Sequence, residues 1–182
     1  MFLNEAIVAI LDQRGKVVGT GFVVHENLIA TCAHVINKAR SGTVEEHIPI
    51  RFYNTTSVTT ANIVDEWWPE PQAEDVAILQ INQPLPEGAL VAPLGSSDGT
   101  PGHEFKTFGF PKALSHNGGW GYGQIGDKTI HNGFTSIQLR TSETTVGFSG
   151  APVLNLNTKR IIGMISSITR GFYQLASQNN WS

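Results

Sequence analysis

The chain has 182 residues, of which 40% are hydrophobic and 15% are charged, and 19 of them are glycines. This length and hydrophobic content suffice for one large domain or two small ones with a real core. The formal net charge of −3 provides no basic footprint for nucleic acid, and no apolar run reaches the roughly 18 residues of a membrane-spanning helix. We therefore expect no nucleic-acid or membrane partner.

Two strands joined by a tight turn are the first predicted elements. Residues 5–11 are nearly all apolar and β-prone, and Asp12-Gln13-Arg14-Gly15 predicts a turn after them. Residues 16–24 form the second predicted strand, which contains Gly19-Thr20-Gly21. This triplet is not interpreted as a phosphate-binding loop, because the third glycine and the following helix are missing.

A histidine follows the third predicted strand, which covers residues 27–30. It lies in Thr31-Cys32-Ala33-His34, where small neighbours keep the imidazole accessible, and one short helical turn is expected after it. Cys32 is the only cysteine, so an intramolecular disulfide is impossible and a reducing compartment is favoured. Since the first five residues also lack the features of a signal peptide, we expect a cytoplasmic protein.

No metal or organic cofactor is predicted. Cys32 is interpreted as a small buried residue beneath His34, because no second pair of ligands at zinc spacing exists in the chain. The remaining histidines show no ligand spacing and are expected at the surface. They are His25, His47, His103, His116 and His131.

An aspartate stands at the mouth of a later strand. Two strands are predicted over residues 48–53 and 58–64, and a proline-stiffened loop then leads to Glu74-Asp75. The strand that follows, residues 76–81, is almost entirely apolar. A carboxylate at such a buried edge is the group that an imidazole needs for its orientation.

The second half of the chain repeats the strand-rich pattern. Residues 84–99 are rich in proline and glycine and are interpreted as a connection, which gives expected domains 1–95 and 96–182. A hairpin with a surface loop is expected over residues 114–123. With about six strands on each side and no helical periodicity, the pattern predicts an all-β fold of two antiparallel six-stranded barrels. The strands predicted here cover residues 104–110, 134–139, 151–156, 160–168 and 171–175.

A serine turn (residues 147–150) precedes the strand at 151–156. In Gly147-Phe148-Ser149-Gly150 the serine is bracketed by glycines, and Gly147 can adopt backbone angles that other residues resist. Successive N–H groups can then face one concave space beside the hydroxyl, as in an oxyanion hole. A serine is a weak nucleophile without a base and a group that orients the base.

His34, Asp75 and Ser149 occur in the order that distinguishes one of the unrelated solutions to the catalytic triad. The segments around them, Thr-Cys-Ala-His34, Glu-Asp75-Val-Ala-Ile-Leu and Gly-Phe-Ser149-Gly-Ala-Pro, resemble the three signature segments of trypsin/chymotrypsin-like serine peptidases, especially the compact, cysteine-poor bacterial ones. The resemblance spans most of the chain. It implies that the active site lies in the cleft between the two barrels.

The resemblance also implies a mechanism. Ser149 is expected to attack a peptide carbonyl, His34 to transfer the proton, and Asp75 to hold the imidazole in its useful tautomer. The N–H groups of Gly147 and Ser149 are expected to form the oxyanion hole. The substrate is then a peptide or protein.

Four further residues are assigned to substrate binding by the resemblance. Glu143 corresponds to the floor of the primary pocket, where an acidic residue selects lysine or arginine, although a solvent-exposed Glu143 is the alternative. Ile168 and Gly171 align with the pocket walls, and the isoleucine is expected to narrow the pocket. Ser166 matches the family serine that hydrogen-bonds the catalytic aspartate.

Regulation departs from the secreted members of the family. Their new N-terminus pairs, after cleavage, with an aspartate just before the nucleophile, and Phe148 stands at that position here. Zymogen cleavage is therefore not expected, and the serine turn must be ordered in another way, by the fold or by an activating partner. In the family a helix normally follows the last strand, and no counterpart precedes Ser182. Either that helix is missing, or the chain is the effector domain of a larger bacterial protein with a regulatory domain or an activating partner.

A second function from another class stays open. The fold of a peptidase can serve as a catalytically silent module that binds peptides or protein partners through the same groove. Degenerate copies usually lose one triad member, whereas His34, Asp75 and Ser149 are all present. The sequence therefore favours the enzyme.

Overall fold

The fold is known from a computed structural model, which describes residues 3–40, 47–53, 55–69, 74–111, 114, 116–131, 133–142, 147–168 and 174–177. Its strands form two closed, antiparallel six-stranded barrels. This confirms the predicted fold class. No helix among these residues is both long enough and apolar enough to cross a membrane.

The first barrel is built from the first six strands, in the spatial order β1-β2-β3-β6-β5-β4. A 3₁₀ turn at Leu3–Ala6 precedes it, and the only α-helix of the described residues, α1, follows β3. The elements are β1 (Ile7–Leu11), β2 (Val17–His25), β3 (Leu28–Thr31), α1 (Ala33–Arg40), β4 (His47–Phe52), β5 (Thr59–Ile63) and β6 (Ala77–Gln80). A second 3₁₀ turn, Asp65–Trp67, lies between β5 and β6.

The register of the first barrel brings two predicted site segments together. Thr31, at the end of β3, pairs with Ala77, at the start of β6. His34 lies three residues after Thr31 and Asp75 lies two residues before β6, so the sheet hydrogen bonds hold both residues at one rim. The fully buried residues Ile29 and Leu79 anchor this edge in the core.

The second barrel has the order β10-β11-β12-β9-β8-β7. It is closed by a short pairing between β10 and β7, in which Leu154 lies opposite Lys106 and Asn155 opposite Phe105. Its strands are β7 (Glu104–Gly109), β8 (Gly119–His131), β9 (Phe134–Arg140), β10 (Pro152–Asn155), β11 (Arg160–Ile168) and β12 (Gln174–Ser177).

The barrels pack against each other through a shared core. The main apolar cluster is centred on the first barrel but includes Phe108, Phe110 and Met164 from the second. Burying apolar surface contributes roughly 25 cal/mol per Å², so this contact stabilises one arrangement of the two barrels. The connecting segment also pairs with β11, since the Ile161 N–H donates to the Pro93 carbonyl. The domain boundary at residues 95 and 96 remains a prediction.

Two local expectations were wrong or incomplete. Helix α1 has eight residues rather than a single turn, because Val35, Ile36 and Ala39 form an apolar face that is fully buried. Residues 119–123, expected in a hairpin and loop, begin the long strand β8. Gly123 is needed for close packing rather than for a turn, since a Cβ at this position would collide with the Arg140 carbonyl oxygen.

Candidate active site

His34 and Asp75 form a side-chain pair at the rim of the first barrel. The imidazole Nδ1 lies 2.5 Å from Asp75 Oδ2, and the His34 backbone N–H donates to Asp75 Oδ1 at 2.9 Å. Both side chains are 34% exposed. The Asp75 carboxylate thus bonds to His34 at two points, which fixes the orientation of the ring. The other ring nitrogen, Nε2, remains available to a substrate or nucleophile.

Cys32 lies beneath this pair. Its Sγ, the His34 ring and the Asp75 carboxylate have atoms within 4.8 Å of one another, and the thiol donates to the Ile165 carbonyl of the second barrel at 3.4 Å. Burial, and then the negative charge of Asp75, raise the pKa of the Cys32 thiol well above its ordinary value. Partial burial also raises the pKa of Glu74.

Cys32, His34 and Asp75 are residue types that can bind a metal ion, but their protonation and hydrogen bonding fit a site without one. A thiolate is the form of cysteine that binds metals, and the environment of Cys32 favours the protonated thiol. The Nδ1 nitrogen of His34 is already engaged by Asp75. The arrangement therefore fits a hydrogen-bonded histidine and aspartate over a buried small residue.

The serine turn lies between the two barrels and is bonded to both. From the first barrel, the Thr20 N–H donates to the Ser149 carbonyl at 2.9 Å. From the second, the Ile165 carbonyl accepts from the Gly150 N–H at 2.7 Å. Gly147 and Gly150 have φ values of +113° and +84°, a region that favours glycine. The bracketing glycines of the motif are thus required by the backbone.

Phe148, in the serine turn, is buried inside the second barrel. It is 1% exposed and belongs to the apolar cluster of that barrel, together with Phe105, Val153 and Ile165. The position that carries an ion-pairing aspartate in secreted relatives therefore carries a core residue here.

The hydroxyl of Ser149 makes no hydrogen bond to His34 among the residues that the structure describes. The peptide N–H groups of Gly147 and Ser149 likewise donate to no protein group within the described ranges, although the Ser149 carbonyl is bonded. Main-chain bonds therefore hold the turn through the Ser149 carbonyl and the Gly150 N–H, and they leave the N–H groups of Gly147 and Ser149 available.

Two of the four predicted substrate-binding residues lie within the described part of the chain. Glu143 and Gly171 lie outside the described residues, and Ile168 ends β11. Ser166 is half-buried in β11. Its assignment as the partner of Asp75 stays a prediction, and the described hydrogen bonds of the carboxylate include two to His34. The Cys32 thiol lies beside that carboxylate.

Two threonines that the sequence did not single out connect the parts of the site. Thr20 and Thr31 are fully buried, and the Thr31 hydroxyl donates to the Thr20 carbonyl at 2.7 Å. The Thr20 hydroxyl donates to the Gly147 carbonyl at 3.1 Å. For Thr20, the sequence signal was a polar residue between two glycines in an otherwise apolar strand.

Comparisons with solved structures show the fold. The Rv3671c protease of M. tuberculosis, in its active form, is 19% identical, with 97% of this chain and 77% of that chain covered at a TM-score of 0.75. An inactive form of the same protease from M. tuberculosis H37Rv is 17% identical, with 97% and 82% covered and the same TM-score. The HtrA-type protease AlgW, solved with a decapeptide, is 16% identical, with 97% and 61% covered at a TM-score of 0.73.

At the level of sequence, no curated protein matches the chain. The sequence model of a family does match, over residues 19–164, and its description is a trypsin-like peptidase domain. The matched range includes the His34 and Asp75 pair, the serine turn and most strands of both barrels. The chain therefore belongs to the family of trypsin-like peptidase domains.

Proposed function

We propose that this chain is a serine endopeptidase that hydrolyses peptide bonds through His34, Asp75 and Ser149. The observation that carries the proposal is the two-point hydrogen bonding between His34 and Asp75, at 2.5 and 2.9 Å. A carboxylate bonded to Nδ1 sets the tautomer in which Nε2 can accept a proton, as a general base requires.

The placement of the serine turn supports Ser149 as the nucleophile. The Thr20 bonds tie the turn to β2, which pairs with β3 at Gly21 and Thr31, three residues before His34. Hydrogen bonds in unliganded catalytic sites are often long and tighten only in the complex with substrate. The missing bond between Ser149 and His34 is therefore compatible with the proposal.

In the proposed reaction, Ser149 Oγ attacks the substrate carbonyl while His34 Nε2 takes the hydroxyl proton. The tetrahedral oxyanion accepts hydrogen bonds from the N–H groups of Gly147 and Ser149, which donate to no other group in the described part of the chain. His34 then returns the proton to the leaving amine, and an acyl-enzyme forms at Ser149. Water activated by His34 releases the acid product and regenerates the hydroxyl.

Substrate preference is proposed to depend on Glu143 as the pocket floor, with Ser166, Ile168 and Gly171 near the pocket. A peptide-library cleavage profile of the wild type and Glu143→Ala tests this assignment. We expect the residue preference at the cleaved bond to differ between the variant and the wild type. An unchanged profile would remove Glu143 from the pocket.

Labelling with a fluorophosphonate probe tests the function itself. The wild type is expected to be labelled and Ser149→Ala to be unlabelled, with Ser142→Ala as a matched control that keeps the wild-type labelling rate. If the wild type remains unlabelled, alone and with candidate activators, while still binding peptides, the protein is the catalytically silent binding module instead.

The proposal includes a cytoplasmic site of action, since the single cysteine favours a reducing compartment. A regulatory domain or an activating partner, as part of a larger bacterial protein, is also proposed. Cell fractionation with an antibody against the chain tests both, because it reports the compartment and the size of the native protein. Recovery in an exported fraction would contradict the first statement.

A further inference from the structure

We propose that Thr20 is a positioning residue for the serine turn, acting from the first barrel on the oxyanion-binding backbone of the second. The inference rests on the proposed function, since the role of Ser149 as nucleophile gives the turn its catalytic meaning. Thr20 is fully buried in β2, and it touches neither His34 nor Asp75 in the described contacts.

Every polar group of Thr20 forms a hydrogen bond, and two of these bonds go to carbonyls of the serine turn. The backbone N–H donates to the Ser149 carbonyl at 2.9 Å, and the side-chain hydroxyl donates to the Gly147 carbonyl at 3.1 Å. The hydroxyl oxygen also accepts from the Phe110 N–H at 3.2 Å. Its carbonyl accepts from the Thr31 hydroxyl.

These bonds act on the peptide groups that matter for catalysis. The carbonyls of residues 147 and 149 flank the Ser149 N–H, one of the two proposed oxyanion donors. With both carbonyls fixed by Thr20, the peptide units on either side of that N–H cannot rotate freely. A donor preorganised in this way needs no rearrangement as charge develops in the transition state.

The packing around the turn is tight on the sides that face both barrels. A Cβ at Gly150 would collide with the Thr20 carbonyl oxygen and lie 2.7 Å from Thr31 Oγ1. A Cβ at Gly109 would lie 2.9 Å from the Phe148 ring and 3.1 Å from Thr20 Oγ1. Thr20 and Phe148 therefore hold the turn from opposite barrels, without the ion pair used by secreted relatives.

Thr20→Val tests the role because valine keeps the shape of threonine and removes only the hydroxyl. At a temperature where the variant is folded, we expect kcat on a peptide substrate and the fluorophosphonate labelling rate to fall roughly 10- to 100-fold, as for small misplacements of catalytic groups. KM is expected to stay within about twofold, since ground-state contacts are unchanged. Thr20→Ser, which keeps the hydroxyl, is expected to restore both rates.

Thr107→Val is the matched control. Thr107 is also a fully buried threonine, but its hydroxyl has no hydrogen-bond partner among the described residues. This variant should keep the wild-type kcat. A folded Thr20→Val with wild-type kcat, or a Thr20→Ser as slow as Thr20→Val, would overturn the proposal.

Amide hydrogen exchange provides a readout that does not require activity. The Gly150 and Ala151 amides are bonded to the Ile165 and Phe148 carbonyls, not to Thr20, so their exchange reports the order of the turn. We expect about 10-fold faster exchange at both amides in Thr20→Val and wild-type exchange in Thr20→Ser and Thr107→Val.

The two failures are distinguishable. Absence of labelling in the wild type would defeat the proposed function, and exchange alone would then decide whether Thr20 orders the turn, with unchanged exchange counting against it. If Thr20→Val does not fold, the smaller Thr20→Ala removes the same hydroxyl and is judged by the same measurements.

Discussion

The two barrels hold their shares of the candidate site in different ways. In the first barrel, His34 and Asp75 meet directly, side chain to side chain, at adjacent strand ends. In the second, the serine turn is held by main-chain bonds and by groups of the other barrel, with Phe148 buried behind it. The first half is locally self-sufficient, whereas the second depends on how the barrels pack. We therefore expect substitutions in the first half to affect mainly the catalytic rate, and substitutions in the second half to affect mainly the order and stability of the serine turn.

The largest effect is expected at the first half. Asp75→Asn should lower kcat by about 10⁴ with little change in Tm, because the amide favours the wrong imidazole tautomer while the fold is kept. Steady-state kinetics and thermal unfolding measure the two quantities. Glu74→Gln, the neighbouring carboxyl, serves as the control and should stay within a few-fold of the wild type. A loss below tenfold in Asp75→Asn would contradict the orienting role.

The next largest effect is expected in the second half of the site, on truncation of Phe148. Phe148→Ala should lower the free energy of unfolding by about 3–5 kcal/mol, because it leaves a cavity in the core. Phe105→Ala, in the same cluster, should cost a similar amount. Only Phe148→Ala is expected to slow fluorophosphonate labelling at temperatures where both variants are folded. Equal labelling rates would mean that the phenyl ring stabilises the barrel but does not order the turn.

A pair of glycine substitutions separates backbone strain from close packing. Gly150→Ala should cost about 2–5 kcal/mol, the sum of left-handed strain and overpacking against Thr20. Gly99→Ala also has a positive φ, +68°, but its Cβ would meet nothing within 4 Å, so only the strain of about 1–2 kcal/mol remains. Urea unfolding compares the two variants. Similar losses of unfolding free energy in the two variants would show that the close contact between Gly150 and Thr20 contributes nothing to stability.

The smallest effect concerns the thiol between the barrels. The raised pKa of Cys32 means that the native thiol stays neutral above its ordinary pKa of 9.0, whereas the unfolded chain ionises. Stability from this difference is present below pH 9 and is lost as the pH rises through the raised value, by at most about 1.4 kcal/mol per pH unit. Urea unfolding at pH 8 and pH 10 should show a steeper loss in the wild type than in Cys32→Ala. Parallel losses would contradict the raised pKa.

The fold was predictable because its signals are local. Apolar runs of strand length separated by turn residues indicate an antiparallel β protein, and the count of about six strands on each side was correct. One error arose because glycine is common both in turns and at points of close approach between strands. Residues 119–123 resembled a loop by composition, but their glycines allow close approach between strands, which depends on a partner strand far away in the chain.

The family resemblance was confirmed, while the roles of individual site residues remain proposals. The sequence pointed to His34 and Asp75 through their settings at strand ends, and the structure brings these two together. It did not indicate that Cys32 would lie beside Asp75, because that neighbour depends on how α1, β6 and β11 pack.

The sequence by itself determined the strand pattern, the order of the three signature segments and the glycines of the serine turn, since these follow from residue type and spacing along the chain. Only the tertiary structure decided what holds that turn. Thr20, Thr31 and Phe148 act there through contacts between residues that are distant in sequence. Such contacts depend on the packing of two closed barrels, and no local pattern records that packing.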